Sequence, residues 1–200
     1  MAQLKIPLDA KRFATGMTWK DYLAQMGDTR ARTEENYHHA ALTEDEKRFF
    51  SGLRQVRYAL MLAENWCGDV HRNSPMLARI VEAMPHCELR VFFRDQNLDL
   101  TDLYLNNGYR SIPVLVFFDQ DWNEMARWIE RPHAATQRSF GIRSKTTDVA
   151  PPDKQEAALA EFRAQVQAAY AGPADKSLWR DTAKEVRMIL ELRLGLAPKA

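Results

Sequence analysis

Glu64-Asn65-Trp66-Cys67-Gly68-Asp69-Val70 is the stretch that decides the fold. It follows the apolar run Tyr58-Ala59-Leu60-Met61-Leu62, and the unbroken run predicts a fully buried strand over Val56–Ala63. A helical pattern follows from Gly68 to Met84, with Val70, Leu77, Ile80, Val81 and Met84 on its apolar face and Pro75 set to kink it. Cys67 thus stands where a buried strand turns into a helix. The free N–H groups of a helix N-terminus favour a thiolate there, so the thiol is expected below its free pKa. Asp69 is anionic beside the sulfur and opposes that shift. Gly68 is read as allowing close approach and an unusual backbone angle. His71, four residues after Cys67 and roughly on the same helical face, is a candidate acid or base. The bland alternatives are a buried cysteine acting as a small hydrophobe and a histidine that is merely on the surface.

Outward from this stretch, Glu88–Arg94 predicts a second strand, Leu98–Asn107 a short helix closed by Gly108, and Pro113–Phe118 a third strand. Asp119–Asn123 reads as a turn and Glu124–Ile129 as the hairpin partner. Strand, helix, strand with a crossover makes the first two strands parallel, and the hairpin adds an antiparallel pair. Arg131–Pro152, with Gly141 and Pro151-Pro152, reads as a long loop. A helix over Asp153–Tyr170 is expected to turn Leu159, Phe162, Val166 and Ala169 to one face, Gly172-Pro173 to break it, and a last helix to run over Ser177–Leu194. Upstream, Thr18 is an N-cap candidate for a helix carrying Trp19, Tyr22, Leu23 and Met26. Thr29–Leu42 predicts a further helix, and Thr43-Glu44-Asp45-Glu46 a capping box before Phe49, Phe50 and Leu53. The fold class is α/β: a mixed four-stranded sheet with helices on both faces, divided as 1–52 N-terminal helical extension, 53–172 central domain and 173–200 C-terminal helix.

A chain of 200 residues can build its core without a metal or disulfide staple. A net charge of +1 gives no bulk attraction to nucleic acid or an anionic membrane, and no apolar run approaches a bilayer span. The charged N-terminus Met1–Phe13 does not read as a signal peptide, and two cysteines do not make a disulfide scaffold, so a cytoplasmic, reducing setting is expected. Cys87 lies at the far end of the helix from Cys67, roughly 25 Å away at the rise of a helix, and cannot form a disulfide with it in one folded chain. Cys67, Asp69 and His71 lack the paired spacing of a metal site, so no metal and no cofactor are expected.

Trp66-Cys67-Gly68, then Pro75, then Ile112-Pro113 before an apolar strand, resembles the thioredoxin superfamily, over about residues 53–132 and on to 170 if the next helix closes the fold. The Trp-Cys-Gly-Asp form resembles a bacterial thioredoxin-like group with a helical N-terminal extension. The resemblance implies a thioredoxin-like fold, a cis Pro113 packed on Cys67, and Trp66, Gly68, Asp69, Ile112 and Pro113 as substrate-binding residues, with the Ile112 backbone pairing an extended substrate. The departures are Val70 for the second cysteine, Asp69 for the usual proline, Met61 for the buried acid on the strand, and Ile129-Glu130-Arg131-Pro132 without the glycine that usually follows the last strand. Dithiol cycling within the chain is therefore not available.

Three functions follow. The first is a monothiol redox protein with Cys67 as nucleophile and His71 as proton donor. It would act on protein or low-molecular-weight thiol disulfides, or sense oxidants through a sulfenic acid. The second is a non-catalytic interaction module whose helical flanks form a homodimer or dock a partner. The third, by analogy with monothiol glutaredoxins, is an iron–sulfur cluster held between two chains.

Overall fold

The computed structural model describes residues 6–172 and 176–196. Strands β1 (Tyr58–Ala63), β2 (Glu88–Phe93), β3 (Val114–Phe118) and β4 (Glu124–Ile129) form one sheet in the order β2-β1-β3-β4. β1 pairs parallel with β2 and antiparallel with β3, and β3 pairs antiparallel with β4. This is the mixed sheet expected from the strand–helix–strand order followed by a hairpin. β1 and β3 are the central strands, and both read as continuous apolar runs because neither face meets water.

Helix α1 (Ala10–Phe13) and helix α2 (Trp19–Ala24) belong to the N-terminal extension, followed by α3 (Arg30–His39) and α4 (Glu44–Ser51). Thr18 caps α2 by accepting from Asp21 N–H, and Thr43 with Glu46 closes a complete capping box on α4. Phe13 packs edge-on against Tyr58, and Trp122 of the β3–β4 turn stacks on the same tyrosine at 4.1 Å. Gly16 and Met17 lie against the outer edge of β2. Met17 and Val91 exchange both backbone hydrogen bonds, and Arg90 donates to the Gly16 carbonyl. A Cβ on Gly16 would fall 2.5 Å from the Phe92 ring, so only glycine fits this close approach.

Helix α5 (Gly68–Glu82) crosses from β1 to β2 and buries Val70, Leu77, Ile80 and Val81, with Pro75 inside it. Helix α9 (Leu178–Arg193), capped by Ser177, packs on α5 and β4 through Trp179, Ala183, Val186 and Leu190.

Four expectations are corrected. The helix after β2 is the single turn α6 (Leu98–Thr101), not a helix to Asn107. Leu100 and Tyr104 are nonetheless buried, and Gly108 sits at φ +83 in a tight turn between the bridged Asn106 and Tyr109 rather than at a helix end. The stretch read as a long loop holds α7 (His133–Arg143). Helix α8 (Gln155–Tyr170) buries Ala158, Val166 and Tyr170, while Leu159 is exposed. Gly68 has an ordinary helical backbone, so its value is space rather than angle. Pro173 of the expected break lies outside the described residues.

Candidate active site

The C-terminal end of β1, the N-terminus of α5, the segment entering β3 and the turn leaving β4 converge on Cys67. Cys67 is the N-cap of α5, and the Asp69 and Val70 N–H groups lie beside its sulfur and favour its thiolate form. On the other side Sγ lies 3.7 Å from the Ile112 carbonyl oxygen, which accepts from the thiol. The Ile112–Pro113 peptide is cis, and both residues are buried. Trp66 is 58 % exposed at the rim, with the Arg94 guanidinium 4.8 Å from its ring centre. Of the expected site residues, Trp66, Cys67, Gly68, Asp69, Ile112 and Pro113 are thus brought together.

The electrostatics differ from the expectation. Burial pushes the Cys67 thiol up and Asp69 adds to that, while the Val70 and Asp69 N–H groups and Arg131 pull the other way. Desolvation of a half-buried sulfur outweighs the helix N-terminus here, so the thiol titrates above, not below, its ordinary value. Burial likewise raises the Asp69 carboxyl against the pull of Arg131 and Arg72. Arg131 holds Asp69 at 2.9 Å and also pairs with Glu130. Glu130 occupies a left-handed backbone position at φ +72, where its N–H donates 2.7 Å to the Pro113 carbonyl. Its side chain is held by Asn106 at 2.9 Å and by Arg131. A glutamate at that angle carries strain of the order of 1 kcal/mol or more, offset by these anchors. Burial works to raise the Glu130 carboxyl, and Arg131, Ser111 and Asn106 together carry it below its ordinary value.

No hydrogen bond joins His71 to the sulfur. Its Nδ1 lies 3.0 Å from Thr33 Oγ1 on α3, its ring lies near the Asn65 backbone, and its own carbonyl accepts from Asn36. Burial, with Arg32 and Arg72 nearby, pushes its pKa down to about 4. It is therefore neutral near pH 7 and carries no proton to donate as an imidazolium. Because unfolding restores the ordinary value of 6.5, the unfolded chain binds more protons between that pH and about 4. Stability is expected to fall as pH drops through that window. Unfolding midpoints at pH 7.5 and 5 should differ more in the wild type than in His71→Gln; equal differences would remove this group from the account.

Beneath the site, Asn73 is fully buried and links Asp69, Glu130, Tyr170 and Thr182. Tyr22 of α2 is also fully buried, its hydroxyl has no partner among the described residues, and Glu64 and Cys67 lie close enough to help raise its pKa beyond the effect of burial. Gln25 and Thr29 tie this extension to Asn65 in the loop before the cysteine. Arg72 and Asn73 are not named in the sequence reading, Tyr22 is named there only as part of an apolar helix face, and Glu130 and Arg131 only as the place of a missing glycine. Only Arg72, one helical turn after Gly68, had a local signal in its spacing.

Cys87 and Cys67 are both free, and burial pushes Cys87 up to about 12. Among the described residues no group of three or more His, Cys, Asp or Glu is placed to hold a metal, and no helix is long and apolar enough to cross a membrane.

A family profile described as thioredoxin matches residues 16–144. The chain belongs to the thioredoxin family. The match takes in α2 to α7 and so includes much of the helical extension as well as the sheet. No curated protein matches. Among solved structures, a protein of unknown function from Pseudomonas aeruginosa superimposes with a TM-score of 0.55 at 18% identity, over 78% of this chain and 95% of that one. An HIV epitope-scaffold superimposes with a TM-score of 0.54 at 17% identity, over 80% and 98%. At these identities the likeness shows the thioredoxin-like fold alone.

Proposed function

We propose that this thioredoxin-family chain is a monothiol thiol–disulfide exchange protein with Cys67 as its nucleophile, of the bacterial Trp-Cys-Gly-Asp type. The observation that carries the reading is the placement of Sγ between the Asp69 and Val70 N–H groups and the Ile112 carbonyl. Its thiolate attacks one sulfur of a mixed disulfide, the other sulfur leaves as a thiolate, and Cys67 becomes the new mixed disulfide. A second small thiol then attacks that bond and regenerates Cys67. Val70, fully buried where a resolving cysteine would stand, leaves the second step to an external thiol. The substrates are disulfides of proteins or small thiols in a reducing cytoplasm, reached without nucleic acid or membrane. Ile112 and Pro113 form the groove in which an extended substrate lies, with Trp66 at its rim. A thiol raised by burial is a stronger nucleophile once ionised, at the expense of the fraction ionised near pH 7.

The same burial supports a second reading, an interaction module in which Cys67 does not turn over. The alkylation rate of native Cys67 against pH, followed by peptide mass, separates the two. We expect Cys67 to react in the folded protein, faster than Cys87 throughout, with its midpoint above the free-thiol value of about 8.5. Asp69→Asn should move that midpoint down, because it removes the anion beside the sulfur. Protection of Cys67 until the chain unfolds would favour the module.

A further inference from the structure

Arg72 is a cation with unused donors. It sits one turn into α5, and its side chain leans toward the helix start, as helical side chains do. Its Nη1 lies 3.1 Å from where a Cβ on Gly68 would stand, so the guanidinium covers the residue next to Cys67. The side chain is only 14% exposed. Among the described residues it makes no hydrogen bond: Nε is buried and unpartnered, and the nearest carboxylate, Asp69, is 4.0 Å from Nη1. That carboxylate is held more closely by Arg131, which also takes Glu130. Burial holds Arg72 below the ordinary guanidinium value against the pull of Asp69, with Arg32 of α3 and Arg131 adding to the lowering. A desolvated guanidinium without acceptors is costly, and its planar fork matches a carboxylate.

We propose that Arg72 seats a carboxylate of the disulfide partner that Cys67 attacks, so that acidic small-thiol disulfides are its preferred substrates. The proposal rests on the exchange reading above. It also gives Gly68 a role, because a Cβ there would lie 3.1 Å from Arg72 Nη1 and crowd the guanidinium.

Iodoacetate and iodoacetamide attack the same sulfur and differ in one carboxylate. The iodoacetate-to-iodoacetamide rate ratio at Cys67 is expected to fall about tenfold in Arg72→Gln, the scale of one charge-assisted hydrogen bond. It should fall similarly in Gly68→Ala, and Arg72→Lys should recover part of it. Inorganic phosphate, compared with chloride at equal ionic strength, should raise the melting temperature of the wild type and not of Arg72→Gln. A ratio unchanged in Arg72→Gln overturns the carboxylate seat while leaving Cys67 a nucleophile. A phosphate effect with an unchanged ratio makes this a site for free anions only, which also overturns it. A Cys67 inert to both reagents removes the exchange reading, and with it the substrate assignment, whatever phosphate does.

Discussion

Asn73→Ala is expected to lower the folding free energy by about 4 kcal/mol, the larger of two stability effects that the structure implies. The side chain is fully buried. Its two amide protons serve three acceptors, the Asp69 carbonyl at 3.1 Å, the Glu130 carbonyl at 3.3 Å and the Tyr170 hydroxyl at 3.0 Å, and its oxygen accepts from Thr182 at 3.0 Å. These partners lie on α5, the turn after β4, α8 and α9, so one amide joins four elements behind the site. Alanine would take this partner from the Tyr170 hydroxyl and the Glu130 carbonyl, at about 1–3 kcal/mol each, while Thr182 keeps its bond to the Leu178 carbonyl and the Asp69 carbonyl stays in the α5 ladder. Urea unfolding gives the measurement. A loss under about 1 kcal/mol would mean that the surrounding groups re-pair readily.

Glu46→Ala is expected to lose about 3 kcal/mol. Glu46 is 5% exposed, accepts from the Thr43 N–H at 2.8 Å and Thr43 Oγ1 at 3.0 Å, and pairs with Arg180 of α9. Truncation removes half of the capping box, worth about 1 kcal/mol, and takes the carboxylate from an arginine side chain that is 11% exposed. Because each single change already removes the same pair, Glu46→Ala with Arg180→Met should lose less than the sum of the two single losses. Strict additivity in that cycle would mean that the pair contributes nothing as a pair.

The parts of the fold that could be read from the sequence are those whose pattern is local. β1 and β3 are apolar runs, α5 and α9 repeat at helical spacing, and Thr18 and Thr43 announce their helices. α7 was hidden because it buries only Ala135 and Ile142. It is held from outside, by α8 and α9, and Glu185 accepts the His133 N–H at 2.6 Å. The site divides in the same way. The cysteine, its glycine and the Ile-Pro pair were visible as a motif. Arg131 and Glu130 stand beside Asp69 only because the turn after β4 is brought against α5 in space, and Asn73 meets Glu130, Tyr170 and Thr182 only in the assembled fold. The sign of the thiol's shift is not legible for a related reason: the helix end is written in the sequence, whereas the burial that outweighs it belongs to the assembled fold.

The contact of Gly16 and Met17 with β2 bears on how this protein behaves at high concentration. β2 is an outermost strand, and a bare outermost strand is a template on which another chain can add. Met17 takes both hydrogen-bonding groups of Val91, and Gly16 lies too close to Phe92 for any larger residue. The amino-terminal arm thus ends the sheet at that side, and guarding against sheet-to-sheet aggregation becomes a task of the same segment that leads into α2 and the cysteine loop.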